Sequence, residues 1–111
     1  EFIFTLTAGF VRHLLRSRPE IAALTYLDAD LYFFGDPAPI WRELGDSSVL
    51  VVPHRYPAWH DDAAKYGQFN VGVISFRNDP RAHACLDWWT ERCLESCALA
   101  ADGERYGDQK Y

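Results

Sequence analysis

Methionine, a CxxC pair, a basic cluster and an apolar stretch of membrane length are all absent from this 111-residue chain. Each absence excludes something. With 11 basic residues against 16 acidic ones and a net charge of −5, no basic patch interleaved with aromatics is available, so nucleic acid is not an expected partner. The longest apolar stretches, Ile21 to Leu27 and Val49 to Pro53, fall far short of the roughly 20 residues a membrane-spanning helix needs. The acidic Glu1 and the lack of a long apolar region leading to a small-residue cleavage site do not fit a secretory signal. Cytoplasmic residence, at most peripheral at a membrane, is the expectation. Cys85, Cys93 and Cys97 are odd in number and share one helical stretch. That spacing suits neither a disulfide nor a closed zinc site, and they are expected to be buried free thiols. Internal repeats and low-complexity segments are absent too.

What is present is enough for a core: 49% apolar residues, with aromatics at 15%, fit one compact domain. Between Thr5 and Arg16, Leu6, Phe10, Val11, Leu14 and Leu15 recur at helical spacing, and the helix should end before Pro19. Ile21 to Leu27 is continuously apolar around Thr25 and Tyr26, as in a strand buried on both faces of a parallel sheet. Asp36 is a candidate cap for a short helix through Trp41 and Leu44. Val49 to Pro53 predicts a second buried strand, and Phe69 to Phe76 a third, interrupted by Gly72. Between them, His54 to Gly67 is a loop rich in Pro, His, Tyr and Asp. Asn78-Asp79-Pro80 opens a last helix running to about Leu99, with Leu86, Trp89, Cys93 and Cys97 as its core stripe. The expected class is α/β.

The chemistry sits where the first strand stops. In open α/β sheets the ligand crevice lies beyond the carboxyl ends of the strands, and Asp28 is the first polar residue there, with Asp30 two residues on. Neighbouring carboxylates repel unless a cation or donors compensate. Mg2+ and Mn2+ are hard ions that take one or two carboxylates and fill the remaining positions with water and substrate phosphate. The bland alternative is a turn cap at Asp28 beside a solvated Asp30.

Gly72 reads either as a close approach of backbone to substrate or as a β-bulge. Asn70 either faces a ligand or satisfies neighbouring backbone groups. His54 and His60 could complete a metal shell or steady a phosphate or an acceptor hydroxyl, although surface histidines are common. Tyr56, Trp59 and Tyr66 could stack on a sugar's apolar face or simply pack the loop.

Leu27-Asp28-Ala29-Asp30-Leu31-Tyr32-Phe33-Phe34, then Asn70-Val71-Gly72-Val73, then Gly107-Asp108-Gln109-Lys110-Tyr111 resemble, in order, the successive signatures of GT-A nucleotide-sugar glycosyltransferases, nearest to the family-eight-like group. The resemblance spans nearly the whole chain. It implies a mixed, mostly parallel sheet flanked by helices, with the N-terminal nucleotide-binding strands lacking. A fragment is expected, since the chain opens on Glu1 and stops at Tyr111 in what reads as the start of another helix.

The resemblance also implies roles: Asp28 and Asp30 on Mn2+ or Mg2+ at the donor diphosphate, Asn70 and Gly72 facing the sugar or acceptor, and Asp108 and Gln109 contacting the transferred sugar. Asp108 could equally cap a helix beginning at Gln109. The implied partners are a nucleotide-sugar donor and a carbohydrate or other hydroxyl acceptor, and exposed sheet edges predict dimerisation. Two other classes share the DxD or the scaffold: a haloacid-dehalogenase-like phosphatase with an aspartyl nucleophile, and a non-catalytic sugar-binding or assembly module. The bulky Leu31 to Phe34 fit the phosphatase pattern poorly.

Overall fold

A computed structural model describes residues 2–57, 59, 66–96 and 107–111. In chain order these form α1 (Phe2–Ser17), β1 (Ala23–Leu27), α2 (Ala38–Leu44), β2 (Val49–Pro53), β3 (Phe69–Arg77) and α3 (Pro80–Glu95). His60 and Cys97 lie outside the described residues, as do the last residues expected of the final helix. That helix stops at Glu95, where Ser96 is already extended.

The three strands form one sheet in the order β1-β3-β2. β3 runs antiparallel to both neighbours, pairing Ala23 with Arg77 through Leu27 with Val73 on one side and Val49 with Phe76 on the other. The expected parallel pairing is therefore corrected: the protein is α/β, but every strand pair described is antiparallel. Burial on both faces is corrected as well: α1 packs against β1, whose residues are only half-buried with Leu27 exposed, and β2 is half-buried at Val49 and Leu50 and exposed from Val51 to Pro53. The Trp41 indole of α2 donates to Thr25 Oγ1 at 3.1 Å. A short apolar run marks a strand without fixing the direction of its neighbour.

The main core lies between the sheet and the α1–α3 layer. Ile74 and Phe76 of β3 meet Ala8, Val11 and Leu15 of α1 and Ala82, Leu86, Trp89 and Cys93 of α3. The Phe76 and Trp89 rings lie nearly parallel, centroids 6.2 Å apart. On α1 the buried stripe is Thr7, Ala8, Val11 and Leu15, whereas Leu6 and Phe10, part of the same helical spacing of apolar residues, are exposed. Cys93 is buried as expected and Cys85 is at the surface, against expectation.

One polar knot fixes how the helices meet the sheet. The Asn78 amide donates to Leu15 O and Ile21 O, tying the end of α1 to the approach of β1. Asp79 then caps α3, its carboxylate accepting from the Arg81 and Ala82 amides at 2.9 Å each and from the Ser48 hydroxyl at 2.8 Å. With Pro80 in the first turn, this is a strong helix start.

β3 is regular against β1 but not against β2. Leu50 pairs with Ser75 and Val52 with Asn70, so two steps along β2 span five along β3, and the surplus is centred on Gly72. Of the two readings of that glycine, the register shift fits the β-bulge.

Candidate functional site

Asp28 follows β1 directly, and its amide continues the ladder by donating to Gly72 O at 2.9 Å. Its carbonyl accepts from Leu31 at 3.3 Å, closing a turn over Ala29 and Asp30. Across from it, the Asn70 side-chain oxygen accepts the Gly72 amide at 2.7 Å. A methyl on Gly72 would lie 2.9 Å from Asn70 Oδ1 and 3.0 Å from Asp28 Oδ2. The missing side chain is therefore what lets a carboxylate and an amide oxygen from two strands converge over one backbone position.

The last described segment, 107–111, supplies the facing wall. Trp89 of α3 donates its indole N–H to Asp108 O at 2.7 Å, and the Tyr111 hydroxyl donates to Ser96 O at 2.5 Å. Gly67, at φ +103, packs so closely that a methyl there would stand 2.3 Å from Gln109 O. Thus anchored, Asp108 is only 4% exposed. Burial pushes its carboxyl above the ordinary range and the nearby Asp28 charge adds to this, opposed by hydrogen bonds from its own backbone and from Thr7. The 107–110 segment forms turns, so Asp108 caps no described helix.

These walls enclose a cleft of about 320 Å³ lined by Asp28, Asn70, Val71, Gly72, Gly107, Asp108 and Gln109, with Ile3, Phe4, Thr7 and Tyr26 closing the far side. Five of the six residues to which the resemblance gives a role, Asp28, Asn70, Gly72, Asp108 and Gln109, thus meet in one place. Asp30 is exposed on the turn and His54 is elsewhere, neither being among the lining residues. The His54 ring stacks on Tyr56 with centroids 4.8 Å apart, and its amide donates to Gln68 O at 3.0 Å. Its Nε2 is buried with no hydrogen-bond partner among the described residues.

Sequence reasoning missed Tyr26 and Thr7. The Tyr26 hydroxyl donates to Asp28 Oδ1 at 2.8 Å, and its own proton is held more tightly than in a free tyrosine, chiefly by burial and then by that bond. Thr7, buried on α1, lines the cleft with Tyr26 and Asp108, and its one hydroxyl proton can go to the Tyr26 oxygen or to the Asp108 carboxylate, one at a time. A signal existed for the first, because residues two apart in a strand share a face. Thr7 gave only a polar residue within an otherwise apolar helix stripe.

The donor set of the cleft is carboxylate and amide oxygen, which suits a hard divalent cation, and the space over Gly72 is where such oxygens converge. Among the described residues no three His, Cys, Asp or Glu side chains gather as a cation-binding cluster. A Mn2+ or Mg2+ held here would rely on water and ligand oxygens to complete its shell, the usual arrangement for Mg2+ beside substrate phosphates. No helix among the described residues is long and apolar enough to cross a membrane.

Two proteins of Bacillus subtilis (strain 168) are similar to this chain. The protein named Uncharacterized protein YfnF is 39% identical over 118 residues, which cover 100% of this chain and 39% of the relative. Uncharacterized protein YfnD is 32% identical over 114 residues, covering 100% of this chain and 37% of that relative. The chain therefore spans less than two fifths of these relatives. No family model matches the chain, and no solved structure is significantly similar to it.

Proposed function

We propose that this chain is the cation-binding and acceptor-side portion of a glycosyltransferase that moves a sugar from a nucleotide-sugar donor to a hydroxyl acceptor. What supports the reading is the meeting, in one cleft, of Asp28, the Asn70–Gly72 pair and the Asp108–Gln109 pair. These lie on three segments spread over most of the sequence, and they are the positions that resemble the GT-A signatures. Asp28, assisted by Asp30 from the adjoining turn, would hold Mn2+ or Mg2+. Bound there, the ion would supply Lewis-acid stabilisation of charge on the departing nucleoside diphosphate.

The chain's own residues do the rest. Gly72 leaves room for the ligand to approach the backbone, and Asn70 offers its amide nitrogen while its oxygen holds the Gly72 amide. Asp108 and Gln109, on a segment pinned by Trp89 and Gly67, face the sugar from the opposite wall. Precise anchoring matters because misplacing a contacting group by an ångström is costly in rate.

The test is turnover of nucleotide sugars by the full-length protein with and without Mn2+ or Mg2+, in wild type, Asp28→Asn and Asp30→Ala. Cation-dependent hydrolysis or transfer that collapses in Asp28→Asn is the expected outcome. Metal-independent turnover, or an aspartyl phosphate trapped on Asp28, would replace this reading with another, the latter with a phosphatase.

A further inference from the structure

The fold treats the two carboxylate oxygens of Asp28 differently. Oδ1 accepts the Tyr26 hydroxyl proton at 2.8 Å, while Oδ2 lies over Gly72, 3.0 Å from where a methyl would sit and beside Asn70 Oδ1. Tyr26 has little freedom to let go. Its backbone is paired with Ile74 in the ladder, and Thr7, buried on α1 and lining the same cleft, can donate its one hydroxyl proton to the phenol oxygen.

A carboxylate with one oxygen committed to a fixed phenol offers a cation one oxygen, whereas a carboxylate with both free can clasp it. Mg2+, and Mn2+ at octahedral oxygen sites, are met by single oxygens at short distance; Ca2+ accepts six to eight oxygens and readily takes carboxylates in bidentate fashion.

From this asymmetry we infer that Tyr26, braced by Thr7, is a positioning residue that makes Asp28 a one-oxygen ligand and so biases the cleft toward small octahedral cations over Ca2+. The inference rests on the reading of Asp28 as a cation ligand and goes beyond it by naming what sets the choice of ion. Oδ1 would be released in Tyr26→Phe, which keeps the ring and its packing. Thr7→Val keeps the volume and removes the hydroxyl proton that can brace Tyr26 or reach Asp108.

The experiment is calorimetric titration of the full-length protein with Mn2+ alone and with Ca2+ alone, in wild type, Asp28→Asn, Tyr26→Phe and Thr7→Val, with melting temperature as the fold control. Outer-shell partners of metal ligands are typically worth 10–100-fold in affinity. Tyr26→Phe is therefore expected to lower the Mn2+ to Ca2+ affinity ratio by about tenfold at a nearly unchanged melting temperature. Thr7→Val should lower it in the same direction by about threefold, the scale of one weakened hydrogen bond.

If Asp28→Asn abolishes binding but Tyr26→Phe leaves the ratio unchanged, the inference is overturned and Asp28 stands as a ligand. If wild type takes neither ion, or Asp28→Asn binds like wild type, the cation reading falls and the inference with it. Should Tyr26→Phe melt far below wild type, Thr7→Val decides: a lowered ratio supports the positioning role and an unchanged one overturns it.

Discussion

Replacing Gly72 with alanine separates the cost of folding from the cost of function at a single atom. The added methyl would stand 2.9 Å from Asn70 Oδ1 and 3.0 Å from Asp28 Oδ2, well inside ordinary van der Waals contact. Both obstacles are ends of side chains, so they can retreat. If Asn70 swings away it forfeits the 2.7 Å bond from the Gly72 amide, worth about 1 kcal/mol net. Residual overpacking adds about 1 kcal/mol, the low end for a site that can relax. Alanine in a strand recovers about 0.5–1 kcal/mol of glycine's excess backbone entropy. The sum is a loss of about 1 kcal/mol, equivalent to about 4 °C in melting temperature for a domain of this size. Function should suffer more, because the retreat moves Asp28 Oδ2, the oxygen proposed to hold the cation, and Mn2+ affinity should fall by about tenfold or more. Urea unfolding and Mn2+ titration on the same preparation measure the two losses. Wild-type Mn2+ affinity in Gly72→Ala would refute the reasoning, as would a stability loss above about 3 kcal/mol, the top of the overpacking range.

Other glycines give contrasting expectations. Gly67→Ala drives a methyl to 2.3 Å from Gln109 O at a φ of +103; with backbone as the obstacle the loss should be about 3 kcal/mol, the upper end of overpacking. The 107–111 segment should detach, seen as a change in Trp89 fluorescence. Gly9, inside α1 with open space around it, should stabilise when changed to Ala by about 1 kcal/mol, measured by the urea midpoint. Asp79 is held below the ordinary carboxylate range, first by the Ala82 amide and also by Ser48, the Arg81 amide and the Arg77 charge. Its contribution is thus present above the unfolded pKa of about 4 and is lost as pH falls through the lower folded value. Asp79→Asn, still a good cap, should flatten that acid limb in urea midpoints measured from pH 6 to 2. Asp108 carries the opposite sign. Its folded pKa is raised, mainly by burial, so ionisation at neutral pH opposes folding; Asp108→Asn should raise stability at pH 7 while lowering activity, and a destabilised variant would count against the burial argument.

Much of this architecture was legible because the responsible residues act locally. The bounds of the Val49–Pro53 strand, though not its burial, and the Asn78-Asp79-Pro80 start of α3 fall where the pattern put them, since an apolar run and a helix cap are properties of a few consecutive residues. Strand direction was not legible. Ile21 to Leu27 reads as a strand from its apolar run, but it is only half-buried with Leu27 exposed, and the run carries no information about which way β3 runs. The choice between apolar faces of α1 was hidden for a related reason. Ala8, Val11 and Leu15 form one stripe and Ile3, Leu6 and Phe10 another, and only the position of α3 decides which is buried.

At the site, the carboxylate and the glycine announced themselves by chemistry and by interrupting a strand. Tyr26 and Thr7 did not, because a tyrosine in a strand and a threonine in a helix are ordinary until the fold brings Asp28 and Asp108 within their reach.

The central claim is that residues from three distant segments share one cation-binding cleft, and Mn2+ line broadening in the amide NMR spectrum of the chain tests it most directly. Amides of Tyr26 to Asp28, Asn70 to Gly72 and Gly107 to Gln109 should broaden together at the lowest Mn2+ additions, and Asp28→Asn should remove the effect. Broadening that starts at exposed carboxylates such as Glu43 and Asp46 and leaves Gly107 to Gln109 sharp would contradict the account.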